Sequence, residues 1–276
     1  MNIAHSCIAC GSKNPEKILS AFAPFISHKV MDYPRQTIAF GNVAMRPLLL
    51  TNTMHCNDCG MAFSQVRFGD EEMERIYSGY RSVDYSALRE SYEPGYALLN
   101  DRIGNDPVEI KSRAEQMTKF IDGVVEFDKV KTVLDYGGDK GQHIPPCFNG
   151  SLRYVYEPFD ETTIEGALKL KSINNMTFDF VMCCNVLEHI PYPKSTLDII
   201  RPSCHEGTKI FIDVPLENYS GGAWCWHEHI NLFSLNGLKK LIEQSGFNVL
   251  KMEVVDLELG WSVPSKAIYL LAEVAE

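Results

Sequence analysis

VLDYGGDKGQHIP, residues 133–145, passes from an apolar run through an acid into glycines, and its reading decides the fold. Val133 and Leu134 lead in as a buried strand. Gly137, Gly138 and Gly141 then allow a tight turn and a close approach of backbone to a ligand. A dinucleotide site places G-x-G-x-x-G directly after the strand, where helix-terminal N–H groups meet a pyrophosphate. Here Asp135 precedes the glycines, Asp139 sits among them, and the spacing is D-x-G-x-x-x-G. Two carboxylates beside a diphosphate would repel it. S-adenosylmethionine (SAM) carries no phosphate and has both a sulfonium and an ammonium, so the same acids become favourable neighbours. The charges argue for SAM over NAD; the alternative is a glycine-rich turn that only joins strand to helix.

Working outward, strands and helices alternate as a parallel, doubly wound sheet requires. LRYVYEP reads as a second strand ending at Glu157, about 20 residues beyond the loop, where such folds place an acid for ribose hydroxyls. FDFVMCCNVLEHI is a third strand, with Asn185, Glu188 and His189 at or beyond its end, and TKIFIDVP a fourth. Ser234 caps a helix through Leu238, Leu241 and Ile242 that stops at Gly246. FNVLKMEVV and KAIYLLAEV close the chain as an antiparallel pair at the sheet edge. Before the glycine loop, Ile110, Ala114, Met117, Ile121 and Val124 recur at helical spacing from Pro107. Between Glu157 and Phe178 no strand bearing an adenine-contacting acid is identified. The expectation is an α/β, Rossmann-like, mostly parallel sheet with an antiparallel C-terminal edge. Its ligand lies outside the carboxyl ends of the strands, where Asp135, Glu157, Asn185 and Glu188 fall.

The first part of the chain carries a different signal. Cys7 and Cys10 lie in CIACGS, and Cys56 and Cys59 in CNDCGMAFS, with Gly11 and Gly60 permitting the turn behind each pair. Four thiolates suit tetrahedral zinc in a closed, structural site; unrelated surface thiols or a redox pair are the alternatives. The insert between the hooks is long for a zinc ribbon, and a strand is expected over Pro47–Thr51. His5 and His55 read as bystanders. Cys147, Cys183, Cys184, Cys204 and Cys225 have no paired spacing and read as small core residues. The organisation is therefore a zinc module over 1–65, a Tyr- and Arg-rich connector over 66–106, and a SAM-binding domain over 107–276. The connector, which includes IYSGYRSVDYSALRESYEPGY, is either an amphipathic helix laid on the next domain or a lid over substrate.

Composition narrows the partners. The 276 residues are 45% hydrophobic, ample for a packed core. A net charge of -10 and a pI near 5.3 disfavour a nucleic-acid partner, whose backbone is bound by Lys and Arg. No apolar run reaches membrane-spanning length and the N-terminus has no hydrophobic signal region, so no membrane insertion and a cytoplasmic location are expected. Nine cysteines without such a signal fit a reducing compartment.

With these residues in hand, the chain from about 107 to 276 resembles the class I SAM-dependent methyltransferases. The likeness rests on VLDYGGDKG, YVYEP, FDFVMCCNVLEHIPYP and HEHINLFSLNGLKKLIEQSGF. More narrowly, the cysteine hooks before this core resemble the zinc-binding module of sugar-nucleotide methyltransferases, including deoxysugar C-methyltransferases, and the EHINLFS segment resembles enzymes of surface-glycan pathways. The family's middle loop glycine is Asp139 here. Full-length sugar C-methyltransferases also carry a further C-terminal domain that this sequence does not match. The resemblance implies methyl transfer from SAM to a sugar nucleotide or another small phosphorylated intermediate of capsule or lipopolysaccharide synthesis. It places a Glu-His pair near substrate, at Glu228 and His229.

Histidine titrates near neutrality and can take a proton from a hydroxyl, or from a carbon made acidic by an adjacent ketone. His229 is the expected base, with Glu228 orienting it or holding a sugar hydroxyl, His227 beside them, and Tyr80 contacting substrate by position. Structural histidines capping the helix are the competing reading. No catalytic metal is expected, because the one convincing ligand set is saturated by thiolates. Competing functions are an NAD-type sugar oxidoreductase or epimerase, and a degenerate, non-catalytic fold that binds a partner. Nucleic-acid methylation is also conceivable. Methylation at oxygen or carbon and the oligomeric state are not decided by the sequence.

Overall fold

Alternate apolar residues of one short strand serve two cores. Val133 packs with Met117, Phe120 and Phe180 on one face of the central sheet, while Leu134 packs with Val181, Ile212 and Leu270 on the other. That alternation follows from the two-residue period of a strand covered on both sides. The structure, a computed structural model, describes residues 1–31, 48–158, 162–260 and 265–275.

In chain order the strands and helices begin with β1 (Asn2–Ile3), β2 (Glu16–Phe22), α1 (Pro24–Met31), β3 (Leu50–His55), β4 (Ala62–Ser64) and β5 (Val66–Arg67). The middle of the chain forms α2 (Asp70–Tyr77), α3 (Val83–Glu90), α4 (Tyr96–Asn100) and α5 (Pro107–Ile121). Then come β6 (Thr132–Tyr136), β7 (Leu152–Tyr156), β8 (Ala167–Leu170), β9 (Phe178–Cys184), α6 (Pro193–Ile200) and β10 (Cys204–Pro215). The last elements are β11 (Cys225–Trp226), β12 (Asn231–Leu232), α7 (Leu235–Gln244), β13 (Phe247–Leu257) and β14 (Ser265–Val274).

The seven-stranded sheet has the order β13-β14-β10-β9-β6-β7-β8. Strands β10, β9, β6, β7 and β8 run parallel, and β14 is antiparallel to both β10 and β13. This is the α/β, Rossmann-like, mostly parallel architecture with an antiparallel edge. Helix α5 starts at Pro107 behind its cap Asp106, whose carboxylate accepts from the backbone of Val108 and Glu109. Helix α7 starts after Ser234, whose hydroxyl accepts from Gly237 N.

Five local expectations are corrected. The expected helix after the glycine loop is absent: a 3-10 turn over Pro146–Phe148 links β6 to β7, because Pro145 and Pro146 lack the N–H groups a helix needs. The stretch without an assigned strand contains β8, a four-residue edge strand. The strand expected over Pro47–Thr51 is β3, beginning at Leu50; Pro47 lies outside the described residues. The connector is not one helix but three short ones, broken at Gly79 and Gly95, both with positive φ. Among the unpaired cysteines Cys183 and Cys184 are core residues, Cys147 and Cys204 are half-buried, and Cys225 is exposed rather than buried.

The second sheet joins distant parts of the chain. Its order is β11-β2-β3-β4-β12, so residues 225–232 supply both edges of a sheet whose centre comes from the first 64 residues. Phe22, Phe25, Ile76, Tyr85, Tyr96, Trp226 and Ile230 form one core beneath it. The segment WHEH is thereby suspended between two strand pairings.

Candidate functional site

At the carboxyl end of β6, the Asp135 side chain is 1% exposed and neither oxygen has a partner. A buried carboxylate without donors is costly. Burial first, then the nearby Glu157 and Asp139, push this carboxyl up to about 7. The turn beyond it is built for glycine. Gly137 has φ +71°, and a Cβ on Gly138 would lie 2.2 Å from Asp135 Cγ. Asp139 adopts φ 52° and Asn185, after β9, φ 53°, conformations that Asp and Asn tolerate better than most residues. Asp139 N donates to Glu157 Oε2 at 3.2 Å, and Asp139 Oδ2 lies 3.3 Å from Arg81 of the connector. The loop thus presents an unpaired acid, Asp135, and a neutralised one, Asp139. Among the orphaned buried groups, a ligand with a positive charge and hydrogen-bond donors fits this cradle; a phosphate does not.

A second cluster lies beyond the ends of β9 and β10. Glu188 is 1% exposed with both oxygens unpartnered, and burial pushes it up to about 8 against the opposing influence of His229. The carboxylate beside His229 Nδ1 is that of Glu217, at 3.2 Å; the orienting partner expected from sequence, Glu228, turns instead to Arg89. Burial disfavours a charged His229, but Glu217, Glu188 and Glu228 outweigh it and raise the imidazole to about 9. Burial and the neighbouring His229 hold His189 near 3, so it is a neutral ring; its Nδ1 is 3.1 Å from Tyr77 Oη. Burial also lowers His227. The His229 ring lies 4.7 Å from that of His189 and 4.9 Å from that of His227.

The connector walls this cluster. Arg89 of α3 is buried, pairs with Glu228 and with Glu93 at 2.7 Å, and lies 4.0 Å over the Tyr96 ring. Against burial, Arg89 holds Glu228 down to about 2. Tyr80 packs edge-on against Tyr77 and Tyr85, and burial and Glu228 raise its hydroxyl. Behind the cluster Arg67, 0% exposed, bridges β4, β12 and the loop after β9. Its guanidinium donates to Pro191 O, Ser64 O and Asn231 Oδ1, and Asn231 Nδ2 donates to Leu187 O and Ile190 O. That lattice fixes Glu188 and His189 relative to the WHEH segment.

The four hook cysteines converge as well. Cys7 Sγ is 3.6 Å from Cys59 Sγ, Cys10 Sγ is 3.6 Å from Cys56 Sγ, and the four sulfurs lie within 4.8 Å of one another. Tetrahedral bonds of about 2.3 Å to a shared ion require sulfurs about 3.8 Å apart. Gly11 N donates to Cys7 O and Gly60 N to Cys56 O, closing the two turns. Ser234 Oγ bonds Cys59 O, tying the cap of α7 to the cluster.

The structure therefore brings Asp135, Gly137, Gly138, Asp139, Gly141, Glu157, Asn185 and Glu188 to the carboxyl ends of β6, β7 and β9, and sets Tyr80, His227, Glu228 and His229 beside them. Sequence reading missed Glu217, Arg81, Arg89 and Arg67. For Glu217 a signal existed, since it stands two residues beyond the end of a parallel strand, where such folds gather ligand contacts. The three arginines carry no such signal, because their partners are 58 to 164 residues away in the chain.

Residues 110–252, more than half of the chain, match the methyltransferase domain family. No curated protein matches by sequence. Among solved structures the chain is similar to a Burkholderia thailandensis 1,6-didemethyltoxoflavin-N1-methyltransferase with 1,6-didemethyltoxoflavin and S-adenosylhomocysteine bound. That likeness has 14% identity and a TM-score of 0.50 over 80% of this chain and 99% of that one. It is also similar to a SAM-dependent methyltransferase from Aquifex aeolicus, with 18% identity and a TM-score of 0.43 over 60% and 94% of the two chains. At such identities the likeness concerns the fold. The chain belongs to the methyltransferase domain family and is a SAM-dependent methyltransferase.

Proposed function

We propose that this enzyme methylates, at oxygen or carbon, a sugar nucleotide or another small phosphorylated intermediate of surface-polysaccharide synthesis. The observation that carries this reading is the pairing, at the carboxyl ends of β6 and β9, of the bare acids Asp135 and Glu188 with the His227–Glu228–His229 segment. Asp135, Glu157, Asn185 and the backbone of Gly137, Gly138, Asp139 and Gly141 hold the cofactor, and Glu188 borders it. When bound, SAM supplies a methyl group on a sulfonium sulfur.

His229 takes the proton of the nucleophile once its own has been lost to solvent. Glu228, fixed by Arg89, and His227 hold substrate hydroxyls, and Tyr80 closes the site from the connector, which acts as a lid. Aligning nucleophile and methyl group is the main task of such a site. Cys7, Cys10, Cys56 and Cys59 hold one structural zinc; the sulfur spacing and the turns behind the hooks support this. The sugar-nucleotide class rests on the resemblance carried by those hooks together with the EHINLFS segment.

Calorimetric titration with S-adenosylhomocysteine, with NAD as control, tests the cofactor. Incubation with SAM and a panel of sugar nucleotides should then show a mass gain of one methyl group. Saturable NAD binding without S-adenosylhomocysteine binding would overturn the reading.

A further inference from the structure

We propose that Glu217 is the positioning residue for His229, holding its ring so that Nδ1 faces the carboxylate and Nε2 faces substrate. This inference rests on the reading of His229 as the base. Three carboxylates surround that imidazole, and two are otherwise committed. Glu228 is engaged by Arg89, and Glu188 is buried with neither oxygen hydrogen-bonded and with His189 Nε2 at 3.8 Å from its Oε1. Glu217 remains, with Oε1 at 3.2 Å from His229 Nδ1 and at 4.0 Å from His227 Nε2, and with Oε2 bare. Burial works against its ionisation, but the His229 contact wins and keeps it charged.

The tautomer follows. His229 N lies 3.3 Å from His227 Nδ1, which accepts, so the proton of neutral His227 is on Nε2, toward Glu217. Among the described residues, the ion-pair contact of His229 Nδ1 is with the Glu217 carboxylate, which accepts without donating. That contact favours the Nδ1–H form, with Nε2 unprotonated, when His229 deprotonates. The Nδ1 contact has the distance of an ion pair and not the alignment of a hydrogen bond. The other groups facing the ring are His189 and His227, both kept neutral by burial, and the Arg89–Glu228 pair, whose charges offset each other.

The test is a nitrogen-15 NMR titration of the histidines in the ligand-free full chain, with the His229 signals assigned from their loss in His229→Gln. In the wild type, His229 should titrate far above an ordinary histidine and deprotonate to the Nδ1–H form. Glu217→Gln should lower its proton affinity by about tenfold or more. Glu217→Ala should in addition release the ring to the Nε2–H form. An unchanged midpoint and tautomer in both variants overturns the proposal; if Glu217→Ala does not fold, Glu217→Gln alone decides through the midpoint.

Turnover separates the two readings. Full activity in His229→Ala would defeat the base assignment while leaving the Glu217 contact measurable by NMR. An inactive His229→Ala beside a wild-type rate and pH profile in Glu217→Gln would defeat the positioning role alone. The expected result is a plateau rate about 10²- to 10⁴-fold lower in Glu217→Gln, the order of what a positioned base contributes, reached at lower pH than in the wild type.

Discussion

Replacing Asp135 with Asn should stabilise the ligand-free protein and weaken SAM binding. Asp135 is buried at the end of β6 without a hydrogen-bond partner, and its carboxyl titrates at about 7 folded against 3.8 for an ordinary aspartate. A group whose folded value is raised binds its proton more tightly in the folded state, so stability falls as pH rises from 3.8 to about 7 and stays reduced above it. At about 1.4 kcal/mol per pH unit, the full cost is about 4 kcal/mol.

Asn is neutral and nearly the same shape, so Asp135→Asn should recover about 4 kcal/mol near pH 8 and little below pH 4. In thermal unfolding that is a rise of roughly 10 °C for a chain of this size. Adding S-adenosylhomocysteine should raise the melting temperature of the wild type and much less that of the variant. A variant less stable than wild type near pH 8, or a gain that does not depend on pH, would refute the reasoning. So would undiminished stabilisation by S-adenosylhomocysteine, since the acid would then be structural.

Other outcomes follow from the same geometry. Metal analysis should find about one zinc per chain, and chelation should lower the melting temperature; zinc-free protein of equal stability would remove the structural site. His229→Ala should abolish methyl transfer while calorimetry shows SAM affinity within about threefold of wild type, because a base acts on substrate and not on cofactor binding. Arg113→Met should cost about 3–5 kcal/mol in urea unfolding, because it leaves Asp213 (2.7 Å from Arg113) and Glu109 (3.1 Å) buried without their cation. Ser234→Ala should cost about 1 kcal/mol by the same assay, through loss of the α7 cap and of the bond to Cys59 O.

Much of the central domain was legible because local rules govern it. The apolar strand before Asp135, the helical period from Pro107, the cap at Ser234 and the closing strand pair all depend on neighbours a few residues away. The helix expected after the glycine loop failed for an equally local reason: Pro145 and Pro146 outweigh the usual alternation of the fold. Strand β8 went unread because four residues at a sheet edge carry too short a pattern to be told from a loop.

By itself, then, the sequence determined the α/β class, the acid-and-glycine turn that prefers a cation to a phosphate, and the pairing of cysteines within each hook. Composition, periodicity and charge are properties of short stretches and survive without a fold. Only the tertiary structure decided which acid meets His229, why Asp139 is tolerated in the loop, and how the WHEH segment is held. Glu217 and His229 are twelve residues apart, Arg81 and Asp139 fifty-eight, and Arg67 and Asn231 one hundred and sixty-four. Ion pairs and buried hydrogen bonds form between side chains that packing brings together. Their partners are set by how the two sheets and the three connector helices stack, and no local pattern records that.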